Sequence, residues 1–189
     1  MIIIGYSQSI EEGKLIEKNG LKYHPDTQKP YSGKSKAVHL NGQNYIEGTW
    51  KDGRWNGLWT WRYKNGNKEK EMTFKNGKVN GLHTKWYKDG QKGFQELVKH
   101  EKPNGLVTNW YKNGKKKNEG TYKDGKQDGL GIQWYEDGRK AIEKNFKDGK
   151  IDGLWTQWYE DGQKKFEFTY KDGKKISKKN WNEDGSTKK

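Results

Sequence analysis

Asn104-Gly-Leu-Val-Thr-Asn-Trp-Tyr-Lys-Asn-Gly-Lys-Lys-Lys-Asn-Glu-Gly-Thr-Tyr-Lys-Asp-Gly-Lys-Gln127 is the stretch whose reading decides the fold. The same frame of 24 residues begins at Ser32, Asn56, Asn80, Asn104, Asp128 and Asp152, and the last block, Asp152 to Lys175, reads DGLWTQWYEDGQKKFEFTYKDGKK. A fixed period of roughly 20 to 50 residues is the mark of a repeat architecture, in which each unit packs on its neighbours. Positions below are numbered within this frame, with Asn104 at position 1.

Positions 10 and 11 are Asn-Gly or Asp-Gly in every block: Asn41-Gly42, Asn65-Gly66, Asp89-Gly90, Asn113-Gly114, Asp137-Gly138 and Asp161-Gly162. These dipeptides tolerate positive φ angles and predict a two-residue type I′ hairpin turn. Strand-forming Thr, Trp, Tyr and Phe flank them. With 25 glycines in the chain, every helical reading is interrupted. A two-residue loop places position 5 opposite position 16, and position 7 opposite position 14. Trp86, Trp110, Trp134 and Trp158 stand at position 7, followed by Tyr87, Tyr111, Tyr135 and Tyr159 at position 8. Neighbours in a strand point to opposite faces, so this pair predicts an aromatic ring on each side of the sheet. The second connection, as in Lys147-Asp-Gly-Lys-Ile-Asp-Gly153, reads as a longer reversal with two glycines four residues apart. The expected fold is all-β: an elongated antiparallel meander of tandem β-hairpins, about six hairpins long, with no closed globular core.

Composition first points away from order. Leu, Ile, Val and Phe make up about 15% of the chain, net charge is +14, and mean hydropathy is −1.43, a profile shared with disordered chains. Yet 10 Trp and 11 Tyr are present, and they recur in register. The core is therefore expected to be aromatic. Cysteine is absent, which excludes a disulfide framework and thiolate metal sites and leaves both cytoplasmic and exported or periplasmic compartments open.

Three domains follow: an N-terminal cap over residues 1–31, six repeats over 32–175, and a partial repeat with a tail over 176–189. The run Met1–Ser9 reads either as the remnant of an export signal or as an ordinary first strand. In the tail, Trp181-Asn-Glu-Asp-Gly185 keeps half a unit one residue out of register. The unit from Asn80 has His100-Glu101 in place of Asp-Gly, with Pro103 before Asn104. A drifted but tolerated repeat is the favoured reading there, with a local distortion or a docking place as the other.

The alternation of Trp-Tyr-x-Asp/Asn-Gly with Tyr-Lys-Asp-Gly-Lys-x-x-Gly-Leu-Trp resembles the bacterial variant of the MORN repeat, in chains named YwqK-family antitoxins. The segment Gly20-Leu-Lys-Tyr-His-Pro-Asp-Thr-Gln-Lys-Pro-Tyr-Ser-Gly33 is similar to the lead-in of such proteins. The resemblance spans roughly residues 20–185. It implies a MORN-like row of β-hairpins, an antitoxin role, and no catalytic residues or cofactor.

The residues themselves give catalysis little support. His24, His39, His83 and His100 fall at different unit positions, without metal-ligand spacing. Glu recurs at position 16 (Glu47, Glu71, Glu119, Glu143, Glu167), which predicts a cross-strand partner of Thr or Lys. No nucleophile elbow, P-loop or dinucleotide fingerprint occurs. No enzyme, metal or cofactor is expected.

The basic balance is the better clue. Runs at Lys115, Lys116 and Lys117, and at Lys174, Lys175, Lys178 and Lys179, mark a basic surface that attracts acidic partners. Lysines also protect open sheet edges from aggregation. Three partner classes result: a protein, such as a toxin neutralised by this chain as antitoxin or immunity protein; anionic lipid at a membrane or envelope; and nucleic acid. Positions that drift within the repeat are free of shared packing duty. This singles out Trp59, His83 and Trp155 at position 4, with Val107 and Gly131 as their counterparts, and Trp55 at position 24 as interaction residues. On this reading, replacing Trp59 and Trp155 by Ala weakens partner binding more than stability.

Overall fold

Paired strands realise the repeat frame, but the two Asn/Asp-Gly dipeptides exchange the roles expected of them. The structure, a computed structural model, describes residues 9–188. The export-signal reading of residues 1–9 falls outside them except for Ser9. The chain divides into two units, Met1–Gly90 and Gln91–Lys189. The first holds β1 (Ile10–Glu11), β2 (Ile16–Lys18), β3 (Leu21–Tyr23), β4 (Gly33–Val38), β5 (Asn44–Lys51), β6 (Arg54–Arg62), β7 (Lys68–Lys75) and β8 (Lys78–Trp86). The second holds β9 (Lys92–Lys99), β10 (Lys102–Trp110), β11 (Lys116–Lys123), β12 (Lys126–Trp134), β13 (Lys140–Lys147), β14 (Lys150–Trp158), β15 (Lys164–Lys171) and β16 (Lys174–Asn180). Within each unit the strands from β4 to β8 and from β9 to β16 pair in chain order, as an antiparallel meander. The expected all-β hairpin array is present.

Positions 21 and 22, not 10 and 11, make the type I′ turns. Asp52 and Gly53 both have positive φ, 51° and 73°, between the paired Lys51 and Arg54. Asp124-Gly125, Asp148-Gly149 and Asp172-Gly173 repeat this geometry. At positions 8 to 12 the loop is wider. Gly66 N–H donates to the Tyr63 carbonyl and Tyr63 N–H to Asn67, and only the glycine of the Asn65-Gly66 pair has positive φ. This is a three-residue loop, a type I turn followed by a left-handed glycine. It leaves position 14 bulged, so Arg62 pairs with Lys68 at position 13, not with position 14. The expected facing of positions 5 and 16 is observed: Thr60 opposes Glu71, and Thr108 opposes Glu119.

The His100-Glu101 segment keeps the type I′ shape without a glycine. His100 has φ 51° and Glu101 φ 61°, and Lys99 still pairs with Lys102. The strain of a side chain in the left-handed region is accepted there, and the turn itself does not open.

Positions 1 to 3 form a bulge. Between β11 and β12, Gly120 pairs with Gly131 and Tyr122 with Gln127, so two steps on one strand face four on the other. This extra length is why the Asn/Asp-Gly at positions 1 and 2 mimics a reversal in the sequence. The tail shows the counter-case. Phe168 pairs with Lys178 and Tyr170 with Lys175, three steps against two. With one bulge residue fewer, Trp181 falls into the structural place of position 7, which accounts for its shift. The loop that follows closes like the others, Gly185 N–H donating to Asn182 and Asn182 N–H to Ser186.

The core lies in the first unit. Leu15, Tyr31, Ile46, Trp50, Trp59, Trp61 and Phe74 form one buried cluster, with Ile10, Met72 and Val79 packed against it. The N-terminal segment supplies Leu15 and Tyr31, and β1 covers the edge of β4 by parallel pairing of Ile10 with Ser35. The absence of an enclosed core, expected from the repeat pattern, does not hold for this unit. Sealing the end of an array needs atypical residues, and here they complete an aromatic core.

Candidate functional site

Each hairpin sheet presents two unlike faces. One carries positions 3, 5, 7, 13 and 16, and its polar members form a ladder. Thr108 Oγ1 donates to Glu119 at 3.1 Å, and Lys116 Nζ reaches the same carboxylate at 2.6 Å. The Lys116 ammonium also stands 5.7 Å from the ring of Trp134, position 7 of the next block. Lys140 with Glu143 and Trp158, and Lys164 with Glu167 and Trp181, repeat the arrangement. The recurrent glutamate therefore meets both partners expected for it, Thr and Lys. These pairs are half-exposed, so each adds little stability alone. Their consequence is electrostatic: the lysines of this face are neutralised in place.

Position 3 of the same face is different. Leu58, Leu82, Leu106, Leu130 and Leu154 are 41 to 54% exposed. Leu97, 46% exposed, lies within reach of Gly105. A leucine that recurs in five of the six full blocks and is left in solvent is not serving the core. Sequence reasoning missed it because it treated recurring positions as scaffold. The signal was present: a leucine beside an Asn/Asp-Gly bulge pairs with a polar residue across the hairpin, as Leu106 does with Thr121, and has no partner on the bulged side.

The opposite face carries positions 4, 6, 15, 17 and 19. Trp59 lies there with 0% exposure. Its indole N–H donates to the Thr49 carbonyl at 3.0 Å, and its ring stacks on Trp55 at 4.6 Å. It covers Gly48 so closely that a Cβ on that glycine would clash with the ring. His83 is buried beside Met72. Drift at position 4 therefore marks core packing in the first unit, which corrects the outward placement expected of Trp59 and His83. Trp55 is half-buried against the same cluster. Trp155, in the second unit, is half-buried among Phe166, Phe168 and Tyr170. Its indole N–H is enclosed without an acceptor, and Lys144 Nζ stands 4.1 Å from its ring centre. Burial disfavours the charged form of Lys144 and lowers its pKa.

The basic residues divide by use. Lys115 donates to the Asp137 carbonyl, Lys116 belongs to the ladder, Lys117 lies over Tyr111 at 5.6 Å, and Lys175 over Phe168 at 4.6 Å. Lys174, Lys178 and Lys179 are exposed on β16, the last strand of the sheet. Among the described residues, no group of three or more His, Asp or Glu is placed to hold a metal.

The position-8 tyrosines are not face residues. They open the loops, and their hydroxyls reach forward to the next block, as Tyr63 does to the Trp86 carbonyl at 2.9 Å. The paired aromatic faces expected from Trp-Tyr are replaced by a ring on one face and a hydroxyl staple at the edge.

Residues 55–76, 103–124 and 151–172 match the family described as MORN repeat variant. These three segments carry that repeat. Each matched MORN segment spans one hairpin closed by the three-residue loop: β6 with β7, β10 with β11, and β14 with β15. The matches start 48 residues apart, twice the period read from the sequence. The MORN repeat is a non-catalytic module that serves as a scaffold for binding. No curated protein matches the chain.

Proposed function

We propose that this chain is a non-catalytic repeat scaffold that binds a protein partner across its leucine-bearing face, and that its role is that of an antitoxin or immunity protein covering a cognate toxin. The observation that carries the reading is the row of position-3 leucines. In the second unit Leu106, Leu130 and Leu154 sit on alternate strands, so they repeat at roughly 10 Å, twice the inter-strand spacing. Exposed apolar groups rimmed by polar residues favour a protein surface. The ladder beside them strengthens this choice over lipid or nucleic acid, because its lysines already face glutamates. Anionic polymers and membranes require uncompensated cations. Exposed lysines outside any ion pair among the described residues remain on β16, where an open edge explains them, and beside the type I′ turns, as at Lys123, Lys126, Lys147 and Lys150, so the salt response is what separates the readings. The antitoxin role is supported by the resemblance of the repeats alone.

A pull-down of the purified product of the neighbouring gene, repeated across a salt series, tests this. Capture at micromolar concentration with a shallow salt response is expected. Absence of capture removes the antitoxin role. Capture that collapses steeply with salt transfers the reading to charge-driven binding.

A further inference from the structure

On the face opposite the leucines, the sheet of the second unit has a hollow where the first unit has an indole. Position 17 of one block faces position 4 of the next. In the first unit these are Gly48 and Trp59, and the tryptophan ring lies directly over the glycine. Three blocks later the same two places are Gly120 and Gly131, paired across β11 and β12. The floor is kept and the indole is gone, with the Gln127 amide, 3.2 Å from where a Cβ on Gly120 would lie, bordering it. What remains is a cavity of about 280 Å³, slightly below the roughly 300–1,000 Å³ of pockets for drug-sized ligands. It suits one side chain.

The lining is specific. Tyr122 and Phe146 provide aromatic walls, Asn118 and Gln133 provide amide groups, and Lys144 stands next to Gly131 in the neighbouring strand. Asn109 donates to Asn118 at 2.7 Å, which fixes one amide. Glu119 also borders the hollow, but its carboxylate is engaged by Lys116 and Thr108. Lys144 lies over Trp155, with no carboxylate within ion-pair distance among the described residues. A half-buried ammonium without a counter-ion, beside an empty aromatic slot, is complementary to an acidic group carried on or next to a ring.

We propose that the hollow over Gly120 and Gly131 receives one aromatic side chain of a protein partner, a tryptophan by the precedent of Trp59, with an adjoining carboxylate meeting Lys144. The site deepens the protein-binding reading by naming the chemistry of the partner's contact, and it lies on the other face from the leucines.

The test is a titration of the full chain with the acidic peptide Ac-Glu-Trp-Glu-NH2, followed by the amide resonances of Gly120 and Gly131 in a 1H–15N spectrum. Saturable shifts at these two amides are expected, with Kd on the order of 1 mM or tighter. The Trp→Ala peptide produces none, and Lys144→Met weakens the acidic peptide about tenfold, to the level of its Gln-flanked analogue. Gly131→Trp fills the slot from within and abolishes the shifts. Neither glycine has positive φ; a Cβ on Gly131 would stand 3.1 Å from the Phe146 ring, which must give by a few tenths of an ångström, and Gly131→Val serves the same purpose if the indole disturbs folding. Unmoved glycine amides, equal shifts with the Trp→Ala peptide, or undiminished binding by a folded Gly131→Trp or Gly131→Val chain each overturn the proposal. The leucine face is left untouched by these variants, so loss of the peptide site and loss of partner binding through the leucines are read separately.

Discussion

The phenolic hydroxyl of Tyr135 donates to the main-chain carbonyl of Trp158, 2.7 Å away and 23 residues further along the chain. Tyr111 does the same to Trp134 at 2.7 Å, and Tyr159 to Trp181 at 3.3 Å. A second row of links runs along the other hairpin ends, where Gly125 N–H donates to the Pro103 carbonyl and Gly149 N–H to Gln127. Within the second unit, consecutive blocks are thus fastened at both ends of their strands, by groups that recur from junction to junction.

Replacing Tyr135 by Phe removes one hydroxyl link and keeps the ring. The expected cost is about 1 kcal/mol. Urea denaturation should show a lower midpoint with an unchanged slope. An unaltered midpoint would mean that the carbonyl of Trp158 is equally well satisfied by water.

Two of the position-8 tyrosines set an alkaline limit. Burial raises the pKa of Tyr63 and of Tyr135, and neighbouring carboxylates, Glu69 and Asp89 or Glu160 and Asp137, raise it further. An ordinary tyrosine ionises near pH 10. Because the folded-state value lies above the unfolded one, the contribution is complete below about pH 10 and is lost as pH rises through the folded value. Melting temperature should therefore fall as pH rises above about 10, and less steeply in Tyr135→Phe. A Tyr135→Phe chain with the same alkaline slope as the parent would contradict this.

Glu101 occupies the second left-handed position of its turn, φ 61°, where the five other type I′ turns of the array have glycine. Relief of that backbone strain by Glu101→Gly should stabilise the chain by about 1 kcal/mol, after the entropy of the added glycine is set against it. Thermal unfolding checks this, with a higher Tm expected.

Trp59 and Trp155 share a unit position but not an environment. Trp59→Ala should cost about 3–5 kcal/mol, because it empties the centre of the first unit's core. Trp155, half-buried, should cost less. Paired measurements of Tm and partner affinity decide the matter: Trp59→Ala is expected to lower Tm steeply while any folded fraction binds normally.

Period, strand content and the Thr–Glu facing were legible because they follow from side-chain type and spacing alone. The turns were not, since Asn65-Gly66 and Asp52-Gly53 are chemically alike. Which of the two receives both positive φ angles is set by the bulges at positions 1 to 3 and 14, and a bulge has no residue signature beyond a glycine. Trp59 was misplaced for a different reason. Its burial depends on Gly48, eleven residues earlier, and on the cluster that Leu15 and Tyr31 of the cap complete, so no single block contains the cause. Lys144 and the Gly120–Gly131 hollow likewise arise between blocks. Comparing position 17 of one block with position 4 of the next would have shown two glycines meeting.

The most direct test of the scaffold reading is calorimetric titration of the neighbouring gene's purified product into the parent chain and into a Leu106→Asp, Leu130→Asp, Leu154→Asp triple variant. These leucines are exposed, so the variant should keep its Tm within a few degrees. The account predicts saturable binding by the parent and at least a tenfold loss, about 1.4 kcal/mol, in the variant. Equal affinity of parent and variant would contradict it.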